Sequence, residues 1–169
     1  MSRLIVLDED VAEGAAWLAR AEPRFADALS LTGPLPLRLA PDGFAAVLNK
    51  IVSQQVSVAS AAAIWGRVEA AGLLTPQAVA GARDADLRAV GLSRPKMKYA
   101  RALAAANIDY TALRGASDAS VIDTLTDVPG IGVWTAQVYA MFNLGRADVF
   151  APGDLALQEA ARILFDLEG

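Results

Sequence analysis

The amino-acid sequence predicts an all-α protein, and three observations favour this fold class. Apolar residues recur at helical spacing, and the clearest stripe, at i, i+3, i+4, i+7 and i+8, consists of Phe44, Val47, Leu48, Ile51 and Val52. Residues that cap helices precede most of the other periodic segments. The one segment that could form a strand, 35–39, contains a proline, which cannot donate a hydrogen bond to a sheet.

Capping residues and prolines predict where the helices begin and end. Asp10, Ser57, Ser117 and Asp154 are expected N-caps, and the pair Thr75-Pro76 combines a cap with a proline in the first turn. An apolar face of Val58, Ala61, Ala62, Trp65 and Val68 is expected on the helix after Ser57. The predicted helices cover about 10–20, 44–52, 57–68, 84–90, 94–106, 117–126 and 133–144, and two more begin at 75 and 154.

Length and composition predict a single globular domain over residues 1–169. Of the 169 residues, 54% are apolar and 20% are charged, which is enough apolar material for a core. The sequence contains no cysteine and no histidine, so thiolate metal sites and histidine-based catalysis are excluded. Any catalysis must therefore use carboxylates, lysines, hydroxyls or backbone dipoles.

Charge and hydropathy limit the partners and the location. The formal net charge of −4 argues against a protein that binds nucleic acid by bulk electrostatic attraction. No apolar run approaches the roughly 20 residues of a membrane span, and the N-terminus is unlike a signal peptide. We therefore expect a cytoplasmic protein that does not enter a membrane.

The segment 125–132, LTDVPGIG, combines two glycines with the start of a predicted helix. Glycines permit positive φ and close backbone approach, and a helix N-terminus presents unpaired N–H groups, so together they can bind an anion such as phosphate. The alternative is an ordinary corner between two helices that binds no ligand.

Three segments taken together resemble the helix-hairpin-helix DNA glycosylase superfamily, and most closely its 3-methyladenine DNA glycosylase II branch. These segments are 51–57 (IVSQQVS), 128–136 (VPGIGVWTA) and 143–154 (NLGRADVFAPGD), in the order and spacing of the family. A fourth segment, 91–96 (GLSRPK), is similar to a helix opening of that branch. The resemblance covers roughly residues 42 to 165, and the C-terminal part of the family domain is expected to be absent.

The resemblance implies a reaction and a catalytic residue. Such enzymes flip a damaged nucleotide out of the duplex and hydrolyse its N-glycosidic bond through an oxocarbenium-like transition state. Asp154 matches the catalytic aspartate, whose negative charge stabilises the sugar cation. A position at the start of a helix would keep this carboxylate ionised. The alternative is that Asp154 is only an N-cap.

The resemblance also implies a pocket for the target base. At the position of Trp134, family members that cleave the DNA strand carry a lysine, which forms a Schiff base with the sugar. Trp134 instead offers an indole face to a cationic alkylated base, and Val138, one turn later, is aromatic in some relatives. The alternative is a tryptophan packed in the core.

The remaining implied residues contact DNA. Backbone amides of Gly130 and Gly132 are expected to bind phosphate, helped by a Na⁺ or K⁺ ion on the carbonyls of Thr126, Val128 and Ile131. Gln54 and Gln55 are expected beside the space left by the flipped base, although they could be two exposed glutamines in a bend. Arg94 and Lys96 could bind phosphate or lie on a solvated helix face.

The sequence therefore predicts a monofunctional DNA glycosylase that excises alkylated bases such as 3-methyladenine from double-stranded DNA. We expect a monomer that requires no cofactor, apart from the possible cation. Two alternatives remain at this stage: a non-catalytic helix-hairpin-helix DNA-binding module or degenerate family member, and a purely structural helical protein.

Overall fold

A computed structural model describes residues 3–167, and eleven α-helices account for the regular structure of this part of the chain. Within it, the only β-type pairing is an isolated antiparallel bridge between Leu4 and Arg146. The predicted all-α class is confirmed. The helices are α1 Asp8–Ala21, α2 Pro23–Thr32, α3 Phe44–Ser53, α4 Val58–Ala70, α5 Pro76–Gly81, α6 Asp84–Ala89, α7 Arg94–Ala105, α8 Tyr110–Gly115, α9 Asp118–Thr126, α10 Val133–Phe142 and α11 Leu155–Phe165.

The predicted caps are confirmed where a hydroxyl precedes the helix. Ser57, Thr75 and Ser117 each accept a hydrogen bond from the backbone N–H three residues later, at 3.2 Å in all three helices. This bond satisfies one of the N–H groups that have no partner inside the helix. Local chemistry alone therefore defines the starts of α4, α5 and α9.

The prediction for the first helix was wrong in detail. Helix α1 begins at Asp8, and Asp10 lies in its first turn, where the carboxylate accepts hydrogen bonds from the backbone N–H groups of Val6 and Leu7. Helices α2 and α8 were not predicted from the sequence. Helix α2 begins at Pro23, and α8 is only six residues long, too short to show a periodic apolar pattern.

Helix α3 is the centre of the core. All five residues of its predicted stripe are buried, from 7% exposed at Phe44 to 0% at Ile51 and Val52. The expected inner face of α4 is wrong at its start, because Val58 is 89% exposed and only Val68 is buried. Helix α11 also lies at the edge of the fold, with no buried residue between Leu155 and Phe165.

Two contacts show that α3 and α10 run antiparallel and side by side. At the N-terminus of α3, the backbone N–H of Gly43 donates to the hydroxyl of Tyr139 at 3.0 Å. At its C-terminus, the side-chain amide of Gln54 donates to the carbonyl of Gly130 at 3.0 Å. Gly43, at the start of α3, thus contacts the later part of α10, whereas Gln54, at the end of α3, contacts the residue just before the start of α10.

The loop between α10 and α11 is fixed by Arg146. This guanidinium is 5% exposed and donates to the carbonyls of Arg114 and Ala116, at 3.0 and 2.8 Å, at the end of α8. Backbone hydrogen bonds from the N-terminal segment hold the same loop, including one of 2.7 Å from Ile5 to Gly145. The loop therefore has a defined position when it reaches α11.

No helix between residues 3 and 167 is both long enough and apolar enough to cross a membrane.

Candidate nucleic-acid interface and catalytic carboxylate

The turn between α9 and α10 depends on glycine at position 130. Gly130 has φ +91°, in the left-handed region, and a Cβ added there would collide with the ring of Tyr99 on α7. The turn is closed by a hydrogen bond from the N–H of Ile131 to the carbonyl of Val128 at 3.0 Å. Gly130 therefore allows α7 to pack directly behind the turn, a requirement that the sequence analysis did not foresee.

The outer side of this turn presents backbone donors. Within residues 3–167, no group accepts a hydrogen bond from the N–H of Gly130 or Gly132, and no side chain caps α10. Gly132 is exposed, and a Cβ placed on it would meet no atom within 4 Å. The free N–H groups, at the positive end of the helix dipole, suit an anionic partner.

Carbonyl groups of the same turn suit a monovalent cation. Among the described residues, no donor hydrogen-bonds to the carbonyl of Thr126 or Ile131, and the carbonyl of Val128 accepts a single bond, from Ile131. Each of these oxygens retains a lone pair, as a hard cation requires of its ligands. The predicted donor set is thus chemically suitable, and its occupation by Na⁺ or K⁺ stays a prediction.

Asp154 is the N-cap of α11. One carboxylate oxygen accepts hydrogen bonds from the backbone N–H groups of Ala156 and Leu157, both at 3.0 Å. The hydrogen bond from Leu157 holds the pKa of this carboxyl below its ordinary value, and the bonds from Trp134 and Ala156 act in the same direction. The expected capping role is confirmed, and the carboxylate is kept ionised.

The second carboxylate oxygen of Asp154 contacts the predicted pocket residue. The indole N–H of Trp134 donates to it, with 2.9 Å between Nε1 and Oδ2. The indole remains 44% exposed, so the alternative of a core tryptophan is wrong. Val138, one turn further along α10, is half-buried. An exposed aromatic face and an ionised carboxylate are therefore adjacent on the surface.

Gln54 and Gln55 lie at the end of α3, and the structure gives them different surroundings. Gln54 is half-buried, and its amide connects α3 to the hairpin through the carbonyl of Gly130. Gln55 is exposed and has φ +55°, a conformation that non-glycine residues rarely adopt. Gln55 is thus presented to solvent beside the hairpin, and DNA contact by either residue stays a prediction.

The basic residues of α7 have different partners. Arg94 is exposed at the start of the helix, whereas the ammonium of Lys96 donates to the carbonyl of Val52 at 2.7 Å, near the C-terminus of α3. Arg101 donates to the carbonyl of Ala82 at 2.8 Å, beyond the end of α5. Of the two predicted phosphate contacts, Lys96 is thus bound to the protein and Arg94 is exposed, and DNA contact by either residue stays a prediction.

The residue that holds the loop before Asp154 was not predicted from the sequence. Asp148, the acidic residue of the same loop, is exposed and makes no hydrogen bond or ion pair within residues 3–167. Arg146, two residues earlier, performs this role. No sequence signal identifies its partners, because they lie 30 and 32 residues away along the chain.

These features define an all-α protein with a helix-hairpin-helix motif and a carboxylate at the start of the following helix. The chain belongs to the HhH-GPD superfamily of base excision DNA repair proteins, whose family model matches residues 48–169. The match includes the glutamine bend, the hairpin and Asp154, the three segments that carried the resemblance.

Known proteins with similar sequences and structures support this membership. A DNA-3-methyladenine glycosylase of Saccharomyces cerevisiae is 33% identical over 131 residues, which cover 69% of this chain and 44% of the yeast protein. The chain thus spans less than half the length of that relative. A DNA-3-methyladenine glycosidase of Bacillus halodurans superposes with a TM-score of 0.79 and 36% identity, covering 90% of this chain and 74% of its own.

A further solved structure shares the fold. The 3-methyladenine DNA glycosylase of Schizosaccharomyces pombe, solved in complex with abasic DNA, superposes with a TM-score of 0.80. It is 24% identical, and the superposition covers 93% of this chain and 82% of the yeast chain. At this identity the likeness is evidence for the fold alone.

Proposed function

We propose that this chain is a monofunctional DNA glycosylase that removes alkylated bases, such as 3-methyladenine, from double-stranded DNA in base excision repair. The contact between Trp134 and Asp154 carries this proposal. It places a surface that can stack on a base next to a charge that can stabilise a sugar cation. The names of the similar yeast and bacterial proteins support the same substrate class.

Asp154 acts on the sugar in this proposal. As the bond between C1′ and the base nitrogen breaks, its electron pair leaves with the base and positive charge develops on the sugar. The nearby carboxylate stabilises this positive charge. It does not have to lose a proton first, because the backbone of α11 keeps Asp154 ionised. Water then adds to C1′ and loses a proton, which leaves an abasic site.

Trp134 acts on the base. An alkylated purine such as 3-methyladenine is cationic in the nucleotide, and the face of an indole attracts a cation. Its hydrogen bond to Asp154 fixes the ring beside the reacting sugar. Because an indole cannot form a Schiff base, the chemistry ends with hydrolysis rather than strand cleavage.

The hairpin and the glutamine bend hold the DNA. The free amides of Gly130 and Gly132 bind backbone phosphate, and a Na⁺ or K⁺ ion held by the carbonyls of Thr126, Val128 and Ile131 would offset its charge.

Gln55 extends toward the space left by the flipped base, and Gln54 holds the bend against the hairpin. This use of backbone donors is compatible with a net charge of −4. The protein acts as a cytoplasmic monomer in this account.

Release of free bases from methylated duplex DNA tests the proposal. Purified protein of verified mass is incubated with the DNA, and the released bases are identified by mass spectrometry. We expect 3-methyladenine among the products. DNA binding without any base release would instead support the non-catalytic module, and no binding at low salt would support a purely structural protein.

A further inference from the structure

Lys50 is a half-buried lysine in the last turn of the core helix α3. Within residues 3–167 its ammonium makes no hydrogen bond and no ion pair with a protein group. Desolvation lowers the pKa of this ammonium to about 8. Burial of the ammonium costs stability, the negative end of the α3 dipole offsets part of that cost, and the three N–H donors remain available to a ligand.

The position of Lys50 on α3 can be derived from two hydrogen bonds. Gly43 and Gln54 both contact the α10 segment, and residues 43, 47, 50 and 54 follow one another at spacings of four, three and four. Such residues share one face of a helix. Lys50 therefore lies on the face of α3 that is directed toward α10 and the hairpin.

The antiparallel arrangement also determines which turn of α10 lies opposite Lys50. Gln54 contacts Gly130, just before α10 begins, and Lys50 lies four residues earlier in α3, or about 6 Å along its axis. Since α10 runs in the opposite direction, Lys50 is level with the first turn of that helix. This is the turn that carries Trp134, whose indole is bound to Asp154.

We propose that Lys50 is a specificity-determining residue of the base pocket, and that its ammonium favours a neutral base with a hydrogen-bond acceptor over a base that is already cationic. The proposal rests on the proposed function, since it assumes that the target base enters beside Trp134. An ammonium has three donors and no acceptor, so it can bind a carbonyl oxygen or ring nitrogen of the base. The same charge repels an alkylated purine.

Lys50 and Trp134 thus act in opposite directions on a charged base. The indole face attracts a cation, whereas the ammonium on the neighbouring helix repels one. With both residues present, the difference in activity between cationic and neutral lesions is reduced. Removing the ammonium should increase the preference for cationic lesions, while removing the indole should decrease it.

The test compares Lys50→Met, which removes the charge but keeps an unbranched side chain, with Lys50→Arg, which keeps the charge. Lys98→Met, an exposed lysine on α7, is the matched control. The substrates are two duplexes of the same sequence that contain 7-methylguanine or hypoxanthine. Both bases present the same carbonyl oxygen, but only the first is cationic.

We expect the ratio of kcat/KM for hypoxanthine to kcat/KM for 7-methylguanine to fall at least about tenfold in Lys50→Met, the effect of losing one charged hydrogen bond. The ratio should stay near that of the wild type in Lys50→Arg and Lys98→Met. An unchanged ratio, or an equal loss on both substrates, would overturn the proposal, the latter by indicating a phosphate contact or a folding defect.

Binding measurements separate this proposal from the proposed function. The same Lys50 substitutions are made in an Asp154→Asn protein, and Kd is measured for both duplexes. The binding ratio should shift in the same direction as the kinetic ratio. A wild type that releases no alkylated base, 3-methyladenine included, contradicts the proposed function, whereas an unchanged binding ratio contradicts the role of Lys50.

Discussion

The indole N–H of Trp134 donates a hydrogen bond to Asp154, with 2.9 Å between Nε1 and Oδ2, and so joins the start of α10 to the start of α11. The other oxygen of this carboxylate accepts two backbone N–H groups of α11. Asp154 thus has three donors and remains partly exposed. In the proposed function, this relationship combines recognition of the base with catalysis at the sugar.

Two substitutions separate the roles of Trp134. Trp134→Phe retains an aromatic face but removes the N–H, and Trp134→Ala removes both. We expect the alanine variant to lose roughly 1–3 kcal/mol of transition-state stabilisation through lost stacking, with a larger loss for 3-methyladenine than for hypoxanthine. Single-turnover excision of both lesions measures this. Equal losses for the two lesions would indicate that Trp134 is only a packing residue.

The two hairpin glycines should respond differently to substitution. Gly132→Val adds a side chain where the structure has open space, so it should weaken binding to damaged and undamaged duplexes alike without affecting stability. Gly130→Ala should instead destabilise the fold by about 1–3 kcal/mol, because φ is positive and Tyr99 lies behind it. Fluorescence anisotropy and denaturant unfolding check the two expectations. A Gly132→Val protein that changes only lesion preference would contradict phosphate binding by this turn.

Borohydride trapping tests the absence of strand cleavage. A Schiff base requires an amine within reach of C1′, and position 134 holds an indole. We expect no covalent protein–DNA adduct when borohydride is added during turnover, and an intact abasic strand as product. A trapped adduct would contradict a monofunctional enzyme, and its disappearance in Lys50→Met would identify the amine.

The pH dependence of excision should reflect the hydrogen bonds to Asp154. Since Leu157, Trp134 and Ala156 lower the pKa of this carboxyl, the group stays ionised above its ordinary pKa and is protonated only as pH falls through the lowered value. Single-turnover excision of cationic 7-methylguanine should therefore not decline through this group between pH 7 and about 5. Trp134→Phe should move the acidic decline to higher pH. Circular dichroism at each pH confirms that the protein remains folded.

The sequence predicts the features that depend on neighbouring residues. A cap such as Ser117 and its partner Ser120 are three residues apart, so the pattern is visible in the chain. The stripe of α3 is equally local, and all its members are buried. The resemblance to a family supplied the proposed roles of Asp154 and Trp134, which no local pattern defines.

Features that depend on distant contacts could not be predicted in this way. Helix α10 is apolar on nearly all sides, a composition typical of a buried helix, yet its first turn emerges from the core and exposes Trp134. The partners of Gln54 and Arg146 lie 76 and about 30 residues away, respectively. Each becomes evident only when α3, α8 and the hairpin are placed in space.

Substitution of Asp154 by asparagine tests whether this carboxylate is catalytic. The asparagine oxygen can still cap α11, but its amide cannot accept the indole N–H, so the charge and one hydrogen bond are lost together. Comparing the single variant Asp154→Asn with the double variant Asp154→Asn/Trp134→Phe separates the loss of charge from the loss of the hydrogen bond. The double variant has no indole N–H to leave unpaired.

The measurement is single-turnover release of 3-methyladenine by wild type and Asp154→Asn, together with binding of both to a duplex that contains an abasic-site analogue. We expect release to fall by about 10²–10³-fold, the loss typical of one preorganised electrostatic group, while binding persists through the hairpin. Release by Asp154→Asn at a rate near that of the wild type would contradict the assignment of Asp154 as the catalytic carboxylate.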